Sequence, residues 1–254
     1  MVVGHQLSCY MKIAIIIQAR MGSTRLPGKI LKKINNQPML LFQYERLLKV
    51  KKADLICIAT TDNSSDNIIS DICLKNNIPV FRGSENNVLK RYFDASNYFD
   101  IDLIVRINSD CPLIDPYEVD KIINKWIDNE EVDYASNILE ETYPLGMHIE
   151  VFSRKILEKV FREAKELDEK EHVTPYIYRN PDKFKLLSVV NKVNLSDHRW
   201  TVDYPEDIEF IKKIVSKLTP INKNFKMSDV IRLVNKDTDL KKINNMYLKK
   251  QNLL

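Results

Sequence analysis

Short β-branched runs alternate with amphipathic stretches along the first half of the chain. Lys12–Ile17 (KIAIII), Leu55–Thr60 (LICIAT) and Leu103–Ile107 (LIVRI) are apolar runs with little polar alternation, the pattern of strands buried on both faces. Helical patterns fall between them: Pro38–Val50 after the Asn35-Asn36 turn, Ser65–Asn76 capped by Ser64 or Ser65, and Asn87–Tyr98. Pro116–Asp128 follows with proline in its first turn, and Pro79–Phe81 reads as a short strand. Four β-α alternations predict an α/β fold of the Rossmann-like kind, a mostly parallel sheet with helices on both faces. The right-handed crossover rule then places ligands at the carboxyl ends of its strands.

After residue 130 the alternation loosens. Val132–Ser136, His148–Phe152 and Lys185–Val190 are expected strands of a smaller mixed or antiparallel region. Helices are expected at Arg154–Glu166, Glu171–Tyr178, Pro205–Leu218 and Ser228–Asn235. No internal repeat or Gly/Ser linker divides the chain, so one domain over residues 11–240 is the simplest account. Residues 1–10 precede a second methionine and are expected to be a leader or tag-like segment; residues 241–254 form a basic tail, with Lys241-Lys242 and Lys249-Lys250 on a solvated helix face.

Composition narrows this picture. At 254 residues and 44% hydrophobic, the chain can bury a full core. A net charge of +4 without a long basic block suits anionic small molecules and gives no nucleic-acid surface. No run reaches the ~18 apolar residues of a membrane span. The cysteines at 9, 57, 73 and 111 form no C-x-x-C pair, as expected of buried free thiols in a reducing, cytoplasmic compartment.

Candidate chemistry begins at the end of the first strand: Gln18-Ala19-Arg20-Met21-Gly22-Ser23-Thr24-Arg25-Leu26-Pro27-Gly28-Lys29. Three cations, two hydroxyls and two glycines at a strand's carboxyl end suit a polyphosphate, since glycine lets backbone N–H groups approach and Arg and Lys neutralise charge. The spacing between Gly22 and Gly28, and Ile30 after Lys29, exclude a Walker A loop. A second motif, Asn108-Ser109-Asp110-Cys111-Pro112-Leu113-Ile114, closes the third long strand with a carboxylate able to hold a hard cation or to serve as a turn residue. A third, His198-Arg199-Trp200-Thr201-Val202-Asp203-Tyr204-Pro205-Glu206-Asp207, reads as another short strand ending in an aspartate. Glu206 and Asp207 there are read as first-turn acids complementing a helix dipole. Arg106, inside an apolar strand, must be paired or line the crevice.

The first loop resembles the signature of nucleotidyltransferases that make activated sugars. It is most similar to the cytidylyltransferase family that includes spore-coat polysaccharide biosynthesis proteins and the enzymes activating acidic eight- and nine-carbon sugars. The family loop, roughly A-R-x-x-S-x-R-L-P-G-K, is matched by residues 19–29, and the likeness runs from Met11 to about residue 217. The resemblance implies a nucleotide-diphospho-sugar transferase fold and transfer of CMP from CTP, with release of pyrophosphate, to a small acidic or phosphorylated acceptor. It implies that Arg20 and Lys29 grip the triphosphate with help from Arg25, on a loop where Ala19, Gly22 and Ser23 also meet the nucleotide. Asp110 stands in the family's G-D-x-P-L-I pattern, with Ser109 in place of glycine. Asp203 resembles the second ligand of a Mg²⁺ ion.

Thr61 closes the second strand and could reach nucleotide or acceptor. By the same resemblance Arg82 is expected near the cytosine, the alternative being a surface ion pair. Arg106, His148, Glu150 and His172 are expected on the acceptor side; relatives commonly carry an acid at the position of His148, which is either an acceptor contact or a satisfied surface histidine. Relatives often dimerise, and the region after residue 130 is the candidate contact surface. Two nearby carboxylates repel one another without a cation, so Asp110→Asn or Asp203→Asn is expected to leave metal-free stability unchanged or raised. A metal-dependent glycosyltransferase is the first alternative, but it needs a close D-x-D pair, and Asp110 has no acidic neighbour two residues away. A non-catalytic nucleotide-binding module is the second.

Overall fold

The computed structural model describes residues 10–248; Cys9, Lys249 and Lys250 lie outside them. The chain begins with β1 (Ile13–Gln18), followed by the ribbon of β2 (Lys33–Ile34) and β3 (Gln37–Pro38), then α1 (Met39–Leu47). Next come β4 (Leu55–Thr61), α2 (Asn67–Lys75), β5 (Val80–Gly83), α3 (Val88–Tyr98), β6 (Leu103–Asn108) and α4 (Pro116–Ile127). The second half holds β7 (Tyr134–Ser136), β8 (Glu150–Ser153), α5 (Arg154–Glu163), α6 (Leu167–His172), α7 (Pro175–Tyr178) and β9 (Leu186–Ser188). It ends with α8 (Pro205–Leu218), α9 (Met227–Lys236), α10 (Thr238–Lys242) and a 3-10 turn at Asn245–Tyr247.

Seven strands form one sheet in the order β5-β4-β1-β6-β8-β7-β9. β5, β4, β1 and β6 pair in parallel with one another, and β8 alone runs against the others. The mixed region expected after residue 130 is therefore a continuation of the central sheet. Successive residues of a strand face opposite sides, and β1 shows why its run had to be apolar throughout. Ile13, Ile15 and Ile17 enter the core under α1, α4 and α8, while Ala14 and Ile16 enter the core under α3 and α5. The chain leaves β1 toward β4 and β5, then returns to β6 on the other flank. The carboxyl ends of β1 and β6 are thus the topological switch point, where ligands of such sheets bind.

Three expected elements differ. Residues 171–178 do not form one helix: Pro175 has no N–H to continue the ladder, so α6 stops at His172 and Val173 adopts φ 73°. α5 ends at Glu163, because Ala164 is extended and Glu169 caps the following helix by accepting from the backbone of Lys165 and Glu166. No strand forms before Asp203; the segment crosses as a loop with one bridge, Leu145 to Arg199. The segment expected as a basic tail starts inside the fold, with Asn244 buried. Cys57, Cys73 and Cys111 are buried and unpaired, and no described helix is long and apolar enough to cross a membrane.

Candidate active site

The loop after β1 is shaped by hydrogen bonds that its own sequence cannot supply alone. The backbone N–H of Met21 donates to Asp66 at 2.7 Å, and the N–H of Gly28 donates to the Met21 carbonyl at 3.3 Å. Gly28 sits at φ 64°, where glycine is at ease, and starts the turn carrying Lys29. Among the described residues, the N–H groups of Gly22, Thr24 and Arg25 donate to no protein acceptor. Backbone donors left open on a cationic loop are what a polyphosphate cradle requires.

A cleft of about 510 Å³ opens here, within the usual range for small-molecule sites. Ala19, Arg20, Gly22, Ser23, Arg25, Lys29, Arg106, Asp110, His148, His172 and Asp203 all line it. Asp110 and Asp203, so far apart in sequence, are brought together by Lys29. Its Nζ donates to Asp110 Oδ2 at 2.8 Å, to the Val202 carbonyl at 2.9 Å and to Asp203 Oδ1 at 3.0 Å. Two oxygens bound to one nitrogen are close neighbours, well inside the ~8 Å at which no single ion could touch both carboxyl groups. The backbone completes the approach, since Val202 N–H donates to the Asp110 carbonyl at 2.9 Å.

Burial works to lower the Lys29 ammonium, but Asp110 and Asp203 hold it above its ordinary range. At Asp203 burial works the other way, and Lys29, Arg25 and Arg199 hold the carboxyl below the usual carboxylate range. This corrects one expectation. The two carboxylates do not repel unopposed in the ligand-free protein, because Lys29 already lies between them and Arg25 is 3.2 Å from Asp203. Arg20 is freer, half exposed and 3.8 Å from Glu171.

Three expected site residues lie outside the cleft lining. Thr61 is buried and donates to Asp66, which in turn holds the loop after β1, so it supports that loop from below. Arg82 donates to the Thr61 carbonyl, Asn67 and the Asn63 carbonyl at 3.0, 2.7 and 2.9 Å, which commits its guanidinium to closing the turn after β4. Glu150 is the buried partner of Arg106 and also accepts from Tyr134 and Thr174. That pairing answers the question posed by a charge inside a strand: Arg106 is both paired and on the cleft wall, where Nη2 donates to Gln18 at 3.2 Å. Burial pushes the His148 imidazole below its ordinary range, against the pull of Glu150, Glu141 and Asp110.

Other cleft residues were not singled out in the sequence. Arg91 lies in the same segment as Arg82 and, unlike it, reaches the cleft. Only 1% exposed, it donates to the Ser84 carbonyl, while its Nε has no partner and no carboxylate pairs with it among the described residues. A cation on an amphipathic helix reads as a solvated face, and only the fold reveals it buried. Gly146 is legible through geometry: φ is 100°, and a Cβ there would lie 2.4 Å from the Thr201 nitrogen. Its lack of a side chain lets Leu145 exchange hydrogen bonds with His198 and Trp200, which seats the His148 loop against the Asp203 segment.

The pattern matches the cytidylyltransferase family model over residues 14–250. The chain belongs to that family. It is 34% identical to the spore coat polysaccharide biosynthesis protein SpsF of Bacillus subtilis over 89% of this chain and 95% of that protein. A cytidylyltransferase from Leptospira borgpetersenii superposes with a TM-score of 0.88 at 37% identity, covering 91% of this chain and 97% of that one. CMP:2-keto-3-deoxy-manno-octonic acid synthetase in complex with CTP shares the fold, with a TM-score of 0.63 at 18% identity, covering 81% of this chain and 99% of that one.

Proposed function

We infer that this cytidylyltransferase moves CMP from CTP to an acidic sugar or a phosphorylated small molecule, releasing pyrophosphate, in the synthesis of surface glycan precursors. The observation that carries the reading is the Asp110–Lys29–Asp203 cluster beside the open N–H groups of the phosphate loop. An acceptor oxygen bonds to the α-phosphorus as the α–β bridge breaks, and negative charge gathers on the phosphoryl oxygens and on the departing pyrophosphate. Arg20, Arg25 and Lys29 are the cations placed to meet that charge. A hydroxyl acceptor must also shed a proton, and His148, kept neutral by burial, is a proton acceptor on the cleft wall.

The donor set fits Mg²⁺. Two facing carboxylates suit an ion that takes one or two of them and completes its shell with phosphates and water. The described residues hold no group of three or more His, Cys, Asp or Glu that would form a closed cage. Asp110 and Asp203 would hold the ion where their carboxylates now meet the Lys29 ammonium, and it would supply electrostatic stabilisation where charge develops. The buried, unpaired thiols support a cytoplasmic setting.

The test is phosphate release in a pyrophosphatase-coupled assay with CTP, UTP, ATP or GTP. It is run with and without Mg²⁺ over a panel of sugar acids and phosphate monoesters. Turnover with CTP, needing Mg²⁺ and one acceptor class, is expected. A purine preference, or equal rates in excess chelator, would overturn the corresponding part of the reading.

A further inference from the structure

The Asp203 carboxylate is held from two sides. Oδ1 faces Lys29 and Arg25, whereas Oδ2 lies 3.3 Å from Nη2 of the buried Arg199. Arg199 in turn forks onto Asp207, Nε to Oδ1 and Nη2 to Oδ2, both at 2.8 Å. Asp207 is fully buried. Its Oδ2 accepts the backbone N–H groups of Asp203 and Tyr204 at 2.9 Å, fixing the elbow that presents the carboxylate. Its Oδ1 accepts the side-chain amide of Asn244 at 2.9 Å, and the same amide donates to the Arg199 carbonyl at 3.0 Å. Three residues on, Tyr247 stacks face to face on Tyr204 at 3.9 Å between ring centroids and donates to Glu206 at 2.9 Å.

An acid complementing the dipole of α8 would need little of this. Dipole complementarity asks only for a negative charge near the first turn, and reciprocal capping accounts only for the two backbone bonds. It leaves unexplained an arginine shared with Asp203 and an amide brought in from 37 residues further along. The Arg199 fork has a fixed geometry that transmits the position of Asp207 to Asp203. The Asn244 amide and the Tyr247 ring then fix Asp207 and Tyr204. We propose that Asn244 and Tyr247, acting through Asp207 and Arg199, are positioning residues for the Asp203 carboxylate, so that the C-terminal turn is part of the catalytic apparatus.

The proposal rests on Asp203 serving the metal–phosphate site. Its test compares Asn244→Ala, Tyr247→Leu and Tyr247→Phe with wild type. Steady-state rates give kcat, KM for CTP and the half-saturating Mg²⁺ concentration. Binding of Mn²⁺ to the protein–CTP complex is followed by EPR without acceptor, and melting curves are recorded alongside. Residues that orient a metal ligand typically change metal affinity or activity about 10–100-fold. Asn244→Ala and Tyr247→Leu should therefore lower kcat and raise half-saturating Mg²⁺ by about tenfold or more. Mn²⁺ should bind more weakly, and KM for CTP should change little. Tyr247→Phe keeps the stack and should keep wild-type metal dependence. Tyr247 is only half-buried, so its leucine variant retains apolar cover if the asparagine change proves too disruptive. Variants that melt earlier but retain wild-type kcat, half-saturating Mg²⁺ and Mn²⁺ binding would overturn the proposal alone. A wild type that neither turns over CTP nor binds Mn²⁺ with it would overturn the functional reading, and this proposal with it.

Discussion

Each hydrogen of the Lys29 ammonium meets an acceptor at 3.0 Å or less, and two of those acceptors are carboxylates. Arg20, on the same loop, lies 3.8 Å from Glu171 and is half exposed. Both cations face the same ligand space, but their substitutions should separate stability from activity. Either Lys29→Met or Arg20→Ala should lower turnover about 10²–10³-fold, as loss of a charge-stabilising donor does. Lys29→Met should also destabilise the ligand-free protein by about 3 kcal/mol, the low end for removing one partner of a buried pair. Arg20→Ala should shift it by no more than ~1 kcal/mol, as for a surface pair. Urea melts beside initial rates provide the comparison, and equal melting of the two variants would show that Lys29 is not the counter-ion of the pair. Asp203→Asn should likewise destabilise, reversing what the sequence suggests. A chain of letters shows two acids and a lysine in three separate segments, and only their convergence determines which sign prevails.

Between elements the decisive contact is backbone to backbone. Gly146 lies against Thr201 and Trp200, and any side chain there would strike main-chain atoms at 2.4 and 2.6 Å, at a φ that L-residues rarely adopt. Gly146→Ala should therefore cost at least ~1–3 kcal/mol, the usual price of such backbone strain. It should also depress turnover beyond what the lowered melting point explains, because the loops bearing His148 and Asp203 must part. Wild-type kcat in that variant would show that the two loops do not need to meet. The parallel strands were legible because burial on both faces forces an unbroken apolar run, and β1, β4 and β6 carry one. The loop after β1 stood out as a candidate because its chemistry is contiguous. The Arg199–Asp207 pair did not, although both stand in one motif, because only the folded elbow before α8 brings them together, and Asn244 takes its meaning from partners in another segment. Arg82 lies outside the cleft lining for the related reason that backbone carbonyls, invisible in a sequence, absorb its donors.

For the molecule as a whole, the charged cluster sets a pH window. The lowered Asp203 carboxyl contributes stability that is complete above the unfolded value of about 3.9 and is lost as pH falls through the folded value. The raised Lys29 ammonium contributes stability that is complete below about 10.4 and is lost as pH rises through its folded value. The stability difference between wild type and Asp203→Asn should be flat from about pH 5 to 9 and should shrink below about pH 4. A difference that persists undiminished in acid would assign it to packing instead. The polarity of the sheet has a practical consequence as well. The chain enters at the amino ends of the strands, where Asp54 and Asp102 hold the backbone of Ile13 and Lys12 at 2.8 Å. The cleft opens at the carboxyl ends, a strand length away, and Tyr247 stacks beside it on Tyr204. A bead, dye or fusion partner anchored at residue 10 should thus leave the cleft clear, whereas the same cargo anchored at residue 248 would hang beside its rim.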